Sequence, residues 1–167
     1  CIYNGDLNSL LKKLSKSDIV IKTIGEKSRF ANEELLLRFF AFNDNLLAYS
    51  GKLSTYLNSY MHTNRNLGIL DFELKEKLVI DTFSVIFNQI FEGKSIKGIG
   101  KTVLEGLLFG VSQNLEQLKK KSDEEIKILY ANFLELDEFS LVNLKEGLAQ
   151  KDKLSSRLLA AKTIFSK

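Results

Sequence analysis

Arg38 is the charged residue whose setting in the sequence is most informative about chemistry. It lies inside the apolar run from Leu35 to Phe42, where a charge without a partner would be strongly destabilising. Glu34 stands four positions earlier on the same helical face, and Arg29 is placed to join or compete for that carboxylate. We therefore expect Arg29, Glu34 and Arg38 to form a structural ion network, in preference to a ligand site.

A glycine-containing segment, Gly98 to Thr102, has the sequence G-I-G-K-T and leads into a predicted helix, as phosphate-binding loops do. The pattern is incomplete, because Ser95 stands where the first glycine of such a loop would be. The residues upstream are also predicted to be helical, whereas phosphate-binding loops follow a buried strand. The favoured interpretation is a turn between two helices.

Three lysines near the start of that helix raise the alternative of a nucleic-acid interface. Lys94, Lys97 and Lys101 could contact DNA or RNA phosphates together with the free backbone amides of a helix N-terminus. The overall charge argues against a dedicated nucleic-acid binder, since 24 Lys and Arg against 21 Asp and Glu leave only +3. DNA contact is therefore kept as a secondary hypothesis.

Reactive side chains are scarce. The chain has one histidine, His62, and one cysteine, Cys1, so neither a zinc site nor a Glu-x-x-His di-iron site can be built from it. His62 is predicted to be an exposed polar residue at a helix end in preference to a catalytic base. We expect no catalytic residue, no metal and no cofactor in this chain.

Length and composition favour one domain. The 167 residues are 44% hydrophobic and include 12 Phe, which is ample material for a buried core. With no signal-peptide pattern, no apolar run long enough to span a membrane and no possible internal disulfide, a cytoplasmic protein without membrane contact is expected. The chain opens on Cys1 instead of methionine, which favours a fragment of a larger protein.

Helical periodicity extends along most of the chain. Proline is absent, and apolar residues recur three and four positions apart in successive segments. We predict an all-α fold for residues 1–167, an irregular bundle of about seven helices with no significant sheet. The helices are expected at roughly 6–17, 32–47, 53–61, 71–92, 102–121, 122–136 and 152–165, with a less regular stretch around 139–144.

Local signals refine this prediction. Ile19 to Ile24 resembles a strand, but no second strand candidate could pair with it, so we interpret it as an extended linker. Gly106 and Gly110 lie one turn apart and predict close approach of a neighbouring helix. The expected N-caps are Asp6, Asn32, Asp71, Thr102 and Ser122, the last two in capping boxes with Glu105 and Glu125.

One series of segments occurs in a fixed order along the chain: Cys1 to Asn8, Ser28 to Phe42, Tyr49 to Leu53, Tyr56 to Met61, Thr102 to Asn114 and Arg157 to Ala161. Together these segments resemble the helical half of GmrSD-type restriction proteins, in the same order. The most specific part of the similarity runs from Arg29 to Arg38. Arg29, Glu34 and Arg38 carry over as matched positions without an assigned catalytic role.

The resemblance implies the helical scaffold of a modification-dependent defence protein. In that family an N-terminal ParB/sulfiredoxin-like domain with a D-G-Q-Q-R motif handles nucleotide and nuclease chemistry, and this motif is not in the sequence. The implied partner is that N-terminal domain of the same protein, and DNA contact and self-association into a homo-oligomer are further hypotheses. The alternative from another class is a stand-alone helical interaction module.

Overall fold

The structure is a bundle of α-helices. The computed structural model describes residues 4–25 and 30–167, and no strand occurs in these ranges, which confirms the all-α class. Two short 3-10 helices, Leu46–Ala48 and Asp137–Phe139, and a π-helical segment, Val85–Ile90, accompany the α-helices. The described α-helices are α1 (Asp6–Ser15), α2 (Asp18–Ile24), α3 (Ala31–Asn45), α4 (Leu53–Thr63), α5 (Ile69–Ser84), α6 (Lys101–Ser112), α7 (Leu115–Leu118), α8 (Asp123–Leu134) and α9 (Lys151–Phe165).

The segment interpreted as a linker is a helix, so that prediction was wrong. In α2 the Lys22 ammonium lies 2.7 Å from the Asp18 carboxylate one turn earlier. The Thr23 hydroxyl donates to the Ile19 carbonyl at 2.6 Å, and Val20 and Ile24 are buried. Burial of these β-branched side chains against the other helices outweighs their weak intrinsic helix preference.

The helix expected from 102 to 121 is interrupted, which also raises the helix count above seven. α6 ends at Ser112 and the short α7 begins at Leu115. The Asn114 side-chain amide donates to the Gly110 carbonyl at 2.8 Å and to the Lys162 carbonyl of α9 at 2.9 Å. This side chain satisfies the Gly110 carbonyl near the end of α6, which a continuing helix would have bonded through its own backbone amide.

The long helix expected from 71 to 92 is present but changes its hydrogen bonding. After α5, the π-helical segment Val85–Ile90 widens the turn, and the Phe91 amide donates to the Ile86 carbonyl at 3.0 Å. The π-helical segment ends at Ile90, and the first left-handed residue after it is Glu92, with φ of 53°, followed by Gly93 at 75°. The stop predicted at Gly93 therefore begins before that residue. The expected stretch around 139–144 contributes only the 3-10 turn Asp137–Phe139 and further turns.

Most of the predicted N-caps lie inside their helices instead of capping them. Only the Ser122 box forms, with the Ser122 hydroxyl accepting from the Glu125 amide and the Glu125 carboxylate accepting from the Ser122 amide. Asp6 accepts from the Leu67 amide of a distant loop at 3.1 Å, and Asn32 donates to the Gly25 carbonyl at 3.2 Å. The residues at the N-cap positions of α1, α3, α5 and α6 are Gly5, Phe30, Gly68 and Gly100.

α6 is the centre of the bundle. Every residue from 104 to 112 is buried, and α6 packs against α9, α3 and α5. A Cβ atom on Gly110 would lie 2.8 Å from the Ala161 carbonyl oxygen of α9, and one on Gly106 would collide with the Phe139 ring. This confirms the close packing predicted from the two glycines.

Candidate functional site

The Arg38 guanidinium lies at the junction of α3 and α6. Its Nη2 donates to Glu34 Oε1 at 2.7 Å, which confirms the partner predicted one turn away. Its Nη1 donates to Glu105 Oε2 on α6 at 3.3 Å, a contact between positions 67 residues apart. Glu105, expected to be part of a capping box, is turned inward, so that expectation was wrong.

Lys101 joins the same network from the first residue of α6. Its ammonium donates to Glu34 Oε1 at 3.0 Å, so one carboxylate oxygen accepts from both Lys101 and Arg38. The hydrogen bond from Lys101 is the largest influence that lowers the pKa of Glu34, and the positive charge of Arg38 acts in the same direction. Glu34 is therefore held as an anion between the two helices.

Glu105 is the carboxylate most removed from solvent in this cluster, with 7% of its surface exposed. Burial raises the pKa of Glu105 above its ordinary value, and the neighbouring Arg38 opposes that change only in part. Taking a carboxylate out of water disfavours its charged form. Glu105 can therefore hold a proton at a higher pH than an exposed glutamate does.

Arg157 adds a second guanidinium, from α9, and this one is buried. It is 4% exposed, and its Nη2 donates to the Leu148 carbonyl at 2.5 Å. Within the described residues no carboxylate lies within ion-pair distance of Arg157, and burial lowers its pKa. In the sequence it stood among Leu154, Leu158 and Ala161 on the apolar face of the last helix, and it was not singled out as a site residue.

These side chains surround an open pocket of about 340 Å³ between α3, α6 and α9. The Tyr49 hydroxyl donates to the Ala149 carbonyl at 2.5 Å and so fixes the segment that closes one wall. Both charged and apolar groups line the pocket. Its lining is Arg38, Leu53, Lys101, Thr102, Glu105, Leu148, Ala149, Leu154 and Arg157.

Of the six residues singled out in the sequence, the structure brings Glu34, Arg38 and Lys101 together. Arg29 lies outside the described residues. Lys94 is exposed, with its ammonium 3.8 Å from the Glu92 carboxylate. Lys97 is exposed and makes no hydrogen bond or ion pair within residues 4–25 and 30–167. The three lysines therefore do not form one cluster.

The glycine segment before α6 is a connection between helices. It follows a helical segment and not a strand, and Gly98 has a φ of 79°. The preceding residues pack against α2, where the Ser95 hydroxyl donates to the Lys22 carbonyl at 2.6 Å. The favoured interpretation of this segment as a turn between two helices is confirmed. Thr102, however, does not cap α6.

A second candidate surface is apolar and lies at the start of α5. Ile69 is 82% exposed, Leu70 is 67% exposed and Leu74 is 55% exposed. We call these three residues the α5 patch. The loop before them is bound to the start of the described chain, since Arg65 Nε donates to the Asn4 carbonyl at 2.7 Å. The loop that leads into the patch is therefore held beside Asn4.

Metal-binding clusters and membrane-spanning helices are both absent from the described ranges. No group of three or more His, Cys, Asp or Glu side chains there is arranged to hold a metal ion. None of the helices in those ranges has both the length and the apolar character that crossing a bilayer requires. His62 is exposed in the last turn of α4, as its sequence position predicted.

Comparison with known proteins adds no relative: no family model, no curated protein and no solved structure matches this chain.

Proposed function

We propose that this chain is the helical scaffold of a GmrSD-type, modification-dependent restriction protein and that the α5 patch docks the catalytic domain of the same protein. The observation that carries the proposal is the exposure of three large apolar side chains, Ile69, Leu70 and Leu74, in the first two turns of one helix. Exposed large apolar side chains grouped at a surface are typical of an interaction site. Burying each of these side chains against a partner would contribute about 1 to 2 kcal/mol.

The position of the patch supports the choice of partner. In the family that the chain resembles, the catalytic domain precedes the helical half. Asn4 is bonded to Arg65, and the Leu67 amide donates to Asp6, so the beginning of α1 is held against the loop that leads into α5. A domain joined ahead of Asn4 would therefore lie next to the α5 patch.

The polar cluster is consistent with a scaffold that is inactive alone. Arg38 and Lys101 are paired with Glu34, and Glu105 is paired with Arg38. Catalysis by a carboxylate or a lysine needs a group free to exchange protons with a substrate. The proposal accordingly assigns nucleotide and DNA chemistry to the catalytic domain and expects the purified chain 1–167 not to cleave DNA.

The first test is the reading frame ahead of Cys1. The proposal expects it to encode a domain with a D-G-Q-Q-R motif, and a frame without that motif would overturn the proposal. NTP-dependent DNA cleavage by chain 1–167 alone would overturn it as well.

The second test is a matched pair of variants in the protein that contains both domains. Leu70→Glu places a charge in the proposed interface, whereas Ile128→Glu changes a side chain that is 60% exposed on α8. α8 contacts the π-helical segment at the other end of α5. We expect L70E to reduce DNA cleavage by at least tenfold and to expose α5 to hydrogen exchange, while I128E does neither.

Self-association is the competing explanation of the same surface. If chain 1–167 alone forms a dimer that L70E dissociates, and L70E leaves cleavage by the two-domain protein unchanged, the patch joins two copies and the docking proposal is wrong. Sedimentation equilibrium of the wild type and L70E measures this directly.

A further inference from the structure

The pocket between α3, α6 and α9 contains more hydrogen-bond donors than the protein itself satisfies. Arg38 lines the pocket, and its Nε, which is enclosed by protein atoms, has no acceptor in the described part of the molecule. Arg157 is 4% exposed, and one backbone carbonyl, that of Leu148, is the acceptor the structure provides for its guanidinium. Buried cations are normally paired with an anion, so Arg157 points to an acceptor that comes from outside the chain and that would also lie beside Arg38 in the shared pocket.

The first turn of α6 supplies further donors at the same place. Gly100, at the N-cap position, has no side chain to accept from the turn, and the first amide bonded to the Gly100 carbonyl is that of Leu104. The Lys101 and Thr102 amides have no acceptor in the described residues, and both residues line the pocket. Free amides at a helix N-terminus favour an anion.

The charge of the lining favours an anion as well. Arg38, Lys101 and Arg157 contribute three positive groups, and Glu105 contributes one carboxylate. Glu34, which pairs with Arg38 and Lys101, lies outside the lining. Even with both glutamates ionised, the cluster therefore retains a positive charge.

We propose that this pocket binds a phosphate group, either free or as a small phosphate monoester, through Arg38, Arg157, Lys101 and the first turn of α6. The donors come from three helices and surround the space, which suits the tetrahedral set of acceptor oxygens of a phosphate better than the planar pair of a carboxylate. Leu53, Leu148 and the other apolar lining residues leave room beside the anion for the organic part of a monoester. This site is separate from the α5 patch and does not depend on the proposed docking.

The binding test uses the full chain and three small anions at constant ionic strength. Inorganic phosphate, glycerol 3-phosphate and acetate are titrated while nitrogen-15 spectra follow the Arg38 Nε–H and the Lys101 and Thr102 amides. We expect saturable one-to-one binding of phosphate with shifts at these three groups. Tighter binding of glycerol 3-phosphate identifies a monoester site, and equal binding identifies a free phosphate site. Acetate binding as tightly as both phosphates, or no saturation by any of them up to about 50 mM, would overturn the proposal.

A pair of lysine variants separates a built site from general charge attraction. The Lys101 side chain is 51% exposed, so Lys101→Ala removes its ammonium without opening the core. Lys97→Ala is the control, because Lys97 is exposed in the connection that precedes α6 and does not line the pocket. We expect K101A to weaken phosphate binding about tenfold, since it deletes one charge-assisted hydrogen bond, and K97A to change it by less than about twofold. Equal losses in both variants would show that phosphate is attracted by surface charge only.

Discussion

Replacing Gly110 by alanine tests a close backbone contact in the bundle, the one between α6 and α9. An ideal Cβ at Gly110 lies 2.7 Å from Phe165 Cδ2, 2.8 Å from the Ala161 carbonyl oxygen and 3.0 Å from its carbon. Two of these atoms belong to the backbone of α9, so relief requires α9 itself to move. Overpacking of this kind costs about 1 to 3 kcal/mol.

The expected net effect of Gly110→Ala includes an opposing gain. Alanine is favoured over glycine in a helix interior by about 1 kcal/mol. Because the obstructing atoms are backbone, we expect the packing cost to dominate and the free energy of unfolding to fall by about 1 to 2 kcal/mol. For a chain of this size the midpoint of thermal unfolding should then fall by roughly 2 to 8 °C.

Circular dichroism during thermal and urea unfolding measures this change. Gly100→Ala is the matched control, since a Cβ there meets nothing within 4 Å and its φ is −73°; we expect a loss below about 1 kcal/mol. Gly106→Ala should cost less than Gly110→Ala, because its obstruction is the ring of Phe139 in a short connecting turn. A Gly110→Ala protein that unfolds at or above the wild-type temperature would refute the packing of α6 on α9 described here.

Two further predictions concern charge and capping. Burial raises the pKa of Glu105 in the folded state, so the wild type should lose stability as the pH rises from the ordinary glutamate pKa through the raised one. Glu105→Gln should remove that loss of stability, and the variant should be as stable as the wild type at lower pH. Urea unfolding of both proteins from pH 4 to 8 measures the difference between their free energies of unfolding. A difference that does not change with pH would contradict the prediction. Ser122→Ala should cost about 1 kcal/mol through loss of the α8 cap. Urea unfolding of S122A beside the exposed control Ser166→Ala checks this, and equal midpoints would contradict it.

Apolar periodicity predicted the helices well where burial follows one face, as in α1, α4 and α9. It failed at Asp18–Ile24, because a run of β-branched residues is equally compatible with a strand until the neighbouring helices are known. It also failed at Asn114, where a side chain bonded to α9 interrupts the helix. Both errors have the same cause, since tertiary contacts decided between local alternatives.

In the candidate site, too, the local contact was predicted and the long-range contacts were not. Glu34 and Arg38 are four residues apart, so their pairing follows from helix geometry and was predicted. The partnership of Arg38 with Glu105 spans 67 residues, and Arg157 reaches the pocket from the last helix. The sequence pattern is the same whether Glu105 faces inward or completes a capping box, because in both cases a glutamate stands three residues after Thr102. No local pattern therefore distinguishes the two.

Stability alone does not account for the charged groups between α3, α6 and α9. Buried ion pairs can often be replaced by well-packed apolar residues with no loss of stability, and apolar side chains already form part of the lining of this pocket. The Arg38–Glu105 pair balances the charge of one guanidinium, but among the described residues no carboxylate lies within ion-pair distance of the buried Arg157. A scaffold selected only for rigidity would gain nothing from that buried cation. An anion that bridges Arg38, Arg157 and the start of α6 explains its presence and would also link the three helices to one another.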